Sequence, residues 1–479
     1  MGNSLQFILP ETVLVVFAFA AALISVFSKN RQGLDVFVLS GIALSGAFLL
    51  ETTNVPPALF SGMLANDGFT LFFRTLILWL AALVVMISMG YRGIEEDSKG
   101  EYYFFLLSMT VSMMLAVAAK NLMMIYLALE GVSLISYILA GYLKRDLMSS
   151  EAGIKYFLFG AFSTAVTLYG ISLIYGLFGT LDLALFAQNG WAGVASNPAF
   201  IFALILVLVG FGFKCSLVPF HMWTPDVYEG APAPVAAFFS VGPKAMGFAL
   251  LFRVFLQFTG MELAQWTTIA VILAAATMTM GNVLALTQNN VKRLLAYSTI
   301  AQAGYMFTGL ALATDEGLRA LLFYLTIYGL ANLGAFAGIV AAYNVTKSDA
   351  LESYSGLSKK DPFLAVMLMI CLLSLAGLPP LAGFLAKFFI ISAAVKAKFT
   401  GLAVLIVLNS VIALYYYVRV VKVMFLYPEG SAAADSAPSV AHSSSLRLAL
   451  VLIVAGNIIF GIFPQVVFDW LASMFMLTM

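Results

Sequence analysis

The stretch LVLVGFGFKCSLVPFHMWTPDVYEGAPAPVAAFFSVGPKAMGFALLF (206–252) decides the fold. It begins and ends in apolar runs of membrane-helix character. Pro219, Pro225, Pro232, Pro234 and Pro243 stand between them, with Lys214 before the prolines and Lys244 after. Proline removes a backbone donor and clashes with the preceding turn, so the helices here should be interrupted. Irregular backbone at membrane depth is tolerated only where protein or water surrounds it. Broken helices with charges beside them mark transporter sites near the bilayer midplane; a plain proline kink is the alternative. A second stretch repeats the theme: SLAGLPPLAGFLAKFFI (374–390) sets Pro379 and Pro380 before Lys387.

Composition agrees with a lipid solvent. Of 479 residues, 62% are hydrophobic and 10% charged, against the roughly 25% charged that a soluble domain carries. Windows of about twenty apolar residues cross the hydrocarbon core. Such windows fall near 5–28, 34–53, 69–90, 102–119, 121–142, 153–178, 199–220, 232–257, 264–286, 293–313, 318–345, 363–398, 401–426 and 447–475. The expected fold is an all-α polytopic membrane protein of about fourteen transmembrane helices. The first run has no positive region ahead of it and is expected to stay as a helix rather than be cleaved as a signal peptide. The segment 429–445, EGSAAADSAPSVAHSSS, reads as a polar linker before the last span. A net charge of +1 without a basic cluster gives no reason to expect nucleic acid.

Lys and Arg gather in alternate loops: Lys29 and Arg31, Arg92 and Lys99, Lys144 and Arg145, Lys292 and Arg293, then Lys347, Lys359 and Lys360. The intervening loops hold Glu51, Asp67, Asp182 and Glu262. The positive-inside rule places the first set in the cytoplasm. An even number of spans then leaves both termini on the outer, periplasmic side. Cys215, Cys371, His221 and His442 are the only cysteines and histidines. They are too few and too scattered for an iron–sulfur or haem centre, so no metal or redox cofactor is expected in this chain.

Five ionisable residues lie in apolar runs: Glu130, Lys155, Lys214, Lys244 and Lys387. Each costs about 2.5–3.5 kcal/mol at mid-membrane on insertion scales. Desolvation weakens a lysine's hold on its proton, and a nearby carboxylate restores it. Facing lysines and carboxylates can therefore relay protons. Lys155 begins its span and can instead snorkel to the headgroups. Glu130 lies about 20 Å deep from Lys144 at 1.5 Å per residue, deeper than Lys155, so direct contact between Glu130 and Lys155 needs a shift of helices. Glu130 can also serve as a structural salt bridge. His221, at the first break, is a further candidate for proton exchange. Tyr305, Tyr324, Tyr328, Asn332, Ser298 and Thr299 can fill the path between lysines or simply hydrogen-bond neighbouring helices. Lys214 and Lys387 are 173 positions apart, which suggests an internal repeat that maps Glu130 near Gln302 and Tyr305, and Lys244 onto Tyr417.

The motif HMWTPDVYEGAPAPV (221–235) resembles the signature of the antiporter-like, proton-pumping subunits of respiratory NADH:quinone oxidoreductase (complex I), which share their core with Mrp-type sodium/proton antiporter subunits. LALEGVSLISYIL (127–139), GIKYFLFGAFS (153–163), QNNVKRLLAYSTIAQAGY (288–305) and the second break extend the resemblance to essentially the whole chain. Within that family the N type is the most similar: the L-P-D-A variant of the M and L types is absent, as is the long C-terminal lateral helix of the L type. The resemblance implies fourteen spans, two inverted five-helix repeats and broken helices seven and twelve. The units would be 1–100 (helices 1–3), 101–258 (first repeat), 259–427 (second repeat) and 428–479 (linker and last helix).

It also implies roles. Glu130 matches the family's glutamate on helix five, Lys155 its partner on helix six, and Lys214 the lysine beside the break of helix seven. Lys244 matches the central lysine of helix eight and Lys387 the lysine of helix twelve, where the M type has glutamate. Gln302 stands where some relatives have histidine and cannot itself titrate. Proton translocation would be coupled to electron transfer from NADH to quinone, with NADH, FMN, iron–sulfur clusters and quinone on partner subunits. The expected partners are other membrane-arm subunits, including another antiporter-like subunit and small helical subunits. The expected location is the bacterial inner membrane. The rival readings are an independent or Mrp-type cation/proton antiporter, a homologous subunit of a ferredoxin- or hydrogenase-linked complex, and a scaffold whose lysines are only salt-bridged.

Overall fold

The computed structural model describes residues 2–27, 33–52, 58–188, 197–255, 264–426 and 443–476. Lys29, Arg31, Glu262, His442 and most of the linker expected at 429–445 lie outside the described residues. The helices in chain order are α1 (Gly2–Phe27), α2 (Leu34–Glu51), α3 (Gly68–Met89), α4 (Lys99–Ala118), α5 (Leu122–Ala140), α6 (Leu147–Phe178), α7 (Leu183–Gln188), α8 (Pro198–Cys215), α9 (Trp223–Gly230) and α10 (Ala233–Phe255). There follow α11 (Ala264–Ala285), α12 (Val291–Ala311), α13 (Asp315–Thr346), α14 (Leu357–Lys360), α15 (Pro362–Ala376), α16 (Ala382–Lys396), α17 (Thr400–Leu426), α18 (Ser444–Ile462) and α19 (Gln465–Met476). Twelve of the described helices are long and apolar enough to span a bilayer. The less apolar α12 and the shorter pair α15 and α16 lie among them.

Local chemistry sets the boundaries. Side-chain oxygens of Asp67, Asn121, Asp146, Asn197, Asn290, Thr314 and Asp361 accept from backbone N–H groups in the first turns of α3, α5, α6, α8, α12, α13 and α15. These caps satisfy donors that the helix cannot. α8 stops at Cys215 because Ser216 turns left-handed, with φ 58°. α15 stops at Ala376, where Gly377 has φ 88°. The expected interruptions at Pro225 and Pro243 do not occur: Pro225 lies within α9, and α10 runs straight through Pro243. Pro234 sits in the first turn of α10, where its missing N–H costs nothing. α10 is almost wholly buried, so protein surrounds the backbone groups that Pro243 leaves free. The span expected at 447–475 divides at Pro464 into α18 and α19, since the residue before proline is driven out of the α region.

α10 and α13 form the centre, with α13 buried along its whole apolar window. α1, α2, α6, α11, α17 and α18 make an outer ring with large apolar side chains exposed, among them Phe27, Phe162 and Val411. Lipid is as apolar as leucine, so close packing has to hold such helices together. α11 and α12 approach most closely at Gly281 and Gly304, where a Cβ would come within 2.4 Å of the Ala301 and Met278 nitrogens.

The same backbone clasp occurs twice. Leu122 N and Leu183 N bond the Leu181 and Lys120 oxygens; Val291 N and Leu351 N bond the Asp349 and Asn289 oxygens. Each clasp ties a helix start to the segment after a 32-residue helix, α6 or α13. This spacing aligns Glu130 with Thr299.

One buried and one partly buried ion pair escape a reading of single spans. Arg74 of α3 pairs with Glu11 of α1, and its guanidinium also donates to the Phe7 oxygen at 3.0 Å. Arg253 of α10 reaches both Asp67 oxygens at 3.1 Å. Burial would raise the Asp67 carboxyl, but the Arg253 guanidinium outweighs it and holds the group at about 2. Removing one partner of a buried pair strands a charge and costs about 3–5 kcal/mol, whereas an apolar pair of similar volume is often neutral. Glu11→Gln should therefore lower the thermal unfolding midpoint in detergent markedly, and the double replacement Glu11→Leu with Arg74→Met should restore most of the loss.

Candidate functional site

A helix that ends inside the bundle leaves carbonyl oxygens without N–H partners. α8 and α15 both end this way, and each receives a lysine. Lys244 Nζ donates to Cys215 O at 3.1 Å and to Ser216 Oγ at 2.7 Å. Ser216 Oγ also accepts from Thr224 Oγ1 at 2.8 Å, and Trp223 Nε1 donates to Phe213 O at 3.1 Å. At the second break, Lys387 Nζ donates to Ala376 O at 2.8 Å and lies 5.0 Å from the centre of the Tyr305 ring. The carbonyl end of a helix carries partial negative charge, so both ammonium groups sit where cations are favoured. Lys214, Lys244 and Lys387 are all at most 4% exposed, so none reaches headgroups or bulk solvent.

Lys214 is built differently. Its Nζ is buried and has no hydrogen-bond partner among the described residues. The rings of Tyr156, Phe213 and Tyr137 surround it at 5.4, 5.7 and 5.8 Å. The Glu130 carboxylate on α5 lies within electrostatic reach. Tyr137 is seven residues beyond Glu130 and hence on the same helix face.

Lys155 does not meet Glu130. Its Nζ pairs with Glu151 and with Asp226, each at 2.7 Å. Lys155 lies near the start of α6, one turn beyond Glu151, so its depth matches Asp226 of α9 rather than the mid-span Glu130. Arg293 joins the cluster by pairing with Asp226 and Glu229 at 2.7 Å. Nearby, Lys292 pairs with Asp349 at 3.1 Å and donates to Ala231 O at 3.2 Å. The sequence marks Arg293 only as a loop cation and does not single out the partners Asp226, Glu229 and Asp349. The charges within WTPDVYEG were the available signal, overshadowed by the prolines around them.

Polar contacts lie between the two capped helix ends, spaced by one helical turn at Ser240–Lys244 and at Tyr324–Tyr328. Ser240 lies one turn before Lys244 on α10. Tyr328 of α13 donates to Ser240 O at 3.0 Å, and Asn332 Nδ2 donates to Ser240 Oγ at 2.6 Å. One turn from Tyr328, Tyr324 donates to Gln302 Oε1 at 2.6 Å. Gln302 Nε2 donates to Leu375 O at 3.0 Å, in the turn whose next carbonyl, Ala376 O, holds Lys387. Ser298 and Tyr417 hydrogen-bond beside Gln302. Gln302, Tyr324, Tyr328 and Ser374 line a small cavity beside these contacts. Among the described residues, Asn332 Oδ1 and the Tyr228 hydroxyl are buried without hydrogen-bond partners. Such groups are typically satisfied by ordered water. His221 is half-buried in the first break, with Nδ1 unpartnered and Lys244 within electrostatic reach.

The family described as NADH:quinone oxidoreductase/Mrp antiporter, TM matches residues 119–413. NADH-quinone oxidoreductase subunit N of Trichlorobacter lovleyi is 43% identical over 475 residues, covering 98% of this chain and 96% of the relative. A chain of respiratory complex I from Thermus thermophilus matches with a TM-score of 0.79 and 35% identity, over 96% of this chain and 98% of the other. A chain of the Mrp complex from a Dietzia species has a TM-score of 0.84 at 22% identity, over 98% and 97% of the two chains, a likeness of fold.

Burial would raise the Asp226 carboxyl, but hydrogen bonds from Lys155 and Arg293 outweigh it and hold the group below its usual 3.8. A carboxyl lowered on folding stabilises above its unfolded value, and that contribution is lost as pH falls through the folded one. Asp226→Asn should cost about 1 kcal/mol or less at neutral pH, since the pair is partly exposed. The variant should also lack part of the acid-side decline. Thermal unfolding in detergent between pH 3 and 7 measures both.

Proposed function

Because this chain belongs to the NADH:quinone oxidoreductase/Mrp antiporter family, we propose that it carries protons across the membrane along the polar contacts that lie between Lys244 and Lys387. It is a membrane-arm subunit of an NADH–quinone oxidoreductase, coupled to electron transfer in other subunits. It is thus part of a translocase, and its own described residues supply proton-exchanging groups. Electron-carrying cofactors belong to partner chains in this reading. The Mrp-type resemblance is one of common descent.

The observation that carries the reading is the repeated pairing of a buried lysine with a free helix end, at Cys215 and at Ala376. Carbonyl oxygens and a carboxylate favour the charged ammonium, while desolvation opposes it. Small changes in either contact can therefore load or unload a proton. Glu130 modulates Lys214, Lys244 holds the central proton, and Lys387 passes it onward. Tyr328, Tyr324 and water at the cavity beside Gln302 bridge the interval, since an amide does not titrate. His221 exchanges protons at the first break. Lys155 acts through Asp226 rather than through Glu130.

Several finer assignments follow from the same reading. Residues 101–258 and 259–427 form two antiporter-like repeats, between the helices of 1–100 and the last segment, 428–479. The Lys/Arg-rich loops face the cytoplasm and both termini the periplasm of a bacterial inner membrane. Another antiporter-like subunit and small helical subunits flank the chain.

Lys244→Met in the assembled complex should lower proton pumping severalfold while NADH oxidation and assembly persist, read by dye quenching in inverted vesicles. Full pumping by this variant would favour a scaffold role. Glu130→Gln and Lys214→Ala should each lower pumping, and the double variant should be no worse than the more severe single one, as expected for one coupled unit.

A further inference from the structure

The outer helix α17 carries a stripe that the proposed proton path does not use. Val411, Leu414, Tyr415, Val418, Arg419 and Lys422 recur at helical spacing along one face. The stripe changes character along its length: its first four members are apolar and its last two basic. Val411, Tyr415 and Val418 are exposed, as is Lys422. All six line a groove of about 870 Å³ between α17 and the segment 350–355. The basic end lies beside Asn289 and Ala350, in the loops that hold Lys292 and Lys347. This is the Lys/Arg-rich side of the protein, so the groove runs from hydrocarbon depth to headgroup level over about 12 Å between residues 411 and 419.

The guanidinium of Arg419 is fixed but not neutralised. Nη1 donates to Leu286 O at 3.1 Å and to Gln288 O at 3.3 Å, and Nη2 donates to Asn289 Oδ1. All three are neutral acceptors, so its positive charge stands uncompensated by them at the rim. Glu352 lies on the opposite wall.

We propose that this groove binds one anionic phospholipid, with the phosphate at Arg419 and Lys422 and an acyl chain along Val411, Leu414, Tyr415 and Val418. The charge complementarity and the apolar-to-basic order of the stripe match the chemistry of a phospholipid. Basic sites at the cytoplasmic ends of membrane helices favour anionic headgroups. An apolar helix from another subunit would match the apolar half of the stripe but supply no anion to its basic half. Bound lipid fills a furrow that would otherwise leave α17 poorly packed on that side.

The test uses the intact complex in detergent with photoactivatable phosphatidylglycerol or phosphatidylcholine carrying the reactive group in the acyl chain. Cross-linked peptides of this chain are mapped by mass spectrometry. Wild type should be labelled on 411–418 by the phosphatidylglycerol probe in preference to the phosphatidylcholine probe. Arg419→Gln should cut that labelling about fivefold, the effect of losing one interfacial charge; Lys422→Glu, which reverses a charge, should cut it further, and Glu352→Gln should raise it. Lys422→Glu is exposed and keeps the test open if Arg419→Gln loosens the 286–289 loop. Equal labelling by both lipids, labelling indifferent to Lys422→Glu, or cross-links to a neighbouring subunit in place of lipid would overturn the proposal.

Discussion

An α-helix that stops inside a membrane protein exposes carbonyl oxygens with no water to satisfy them. The centre of this chain depends on how that debt is met. At Cys215 and at Ala376 the partner is the ammonium of a buried lysine, Lys244 in one case and Lys387 in the other. Each group requires the other: a lone buried ammonium and a lone buried carbonyl end are both costly. The break and the lysine form one unit, held by opposing costs of desolvation and of unpaired carbonyl oxygens.

The surrounding scaffold keeps those units in register. α10 brings Lys244 to the end of α8 while presenting Ser240 to α13 one turn away. α13, buried along its apolar window, offers Tyr328 and Asn332 to Ser240 and Tyr324 to Gln302. Close backbone contact at Gly281 and Gly304 fixes α11 against α12, which carries Gln302. The ion pairs Arg74–Glu11 and Arg253–Asp67 lock α3 to α1 and to α10 away from those polar contacts. Charge in this bundle thus has two separate uses: saturated pairs that hold helices together, and lysines whose contacts are mostly to neutral oxygens or rings.

The surface follows a similar division. Most of α17 faces outward with apolar side chains, as lipid contact requires. Its end near residues 419–422 turns basic at the level of the Lys/Arg-rich loops, where headgroups would lie. The Lys155, Asp226, Arg293 and Glu229 cluster is partly exposed, consistent with charges that can remain hydrated.

Hydropathy was enough to read a polytopic helical membrane protein and Lys214, Lys244 and Lys387 as buried cations, because insertion costs act on each span alone. Hydropathy and proline placement did not show that α10 would continue through Pro243, or that the last span would split at Pro464, because burial against neighbours decides whether a broken hydrogen bond is tolerated. Nor could they pair charges. Lys155 was matched with Glu130 by family resemblance, yet it meets Asp226, a residue 71 positions away. Which carboxylate reaches which lysine depends on relative depth and rotation of helices, and those are set by packing among the helices rather than by any one of them.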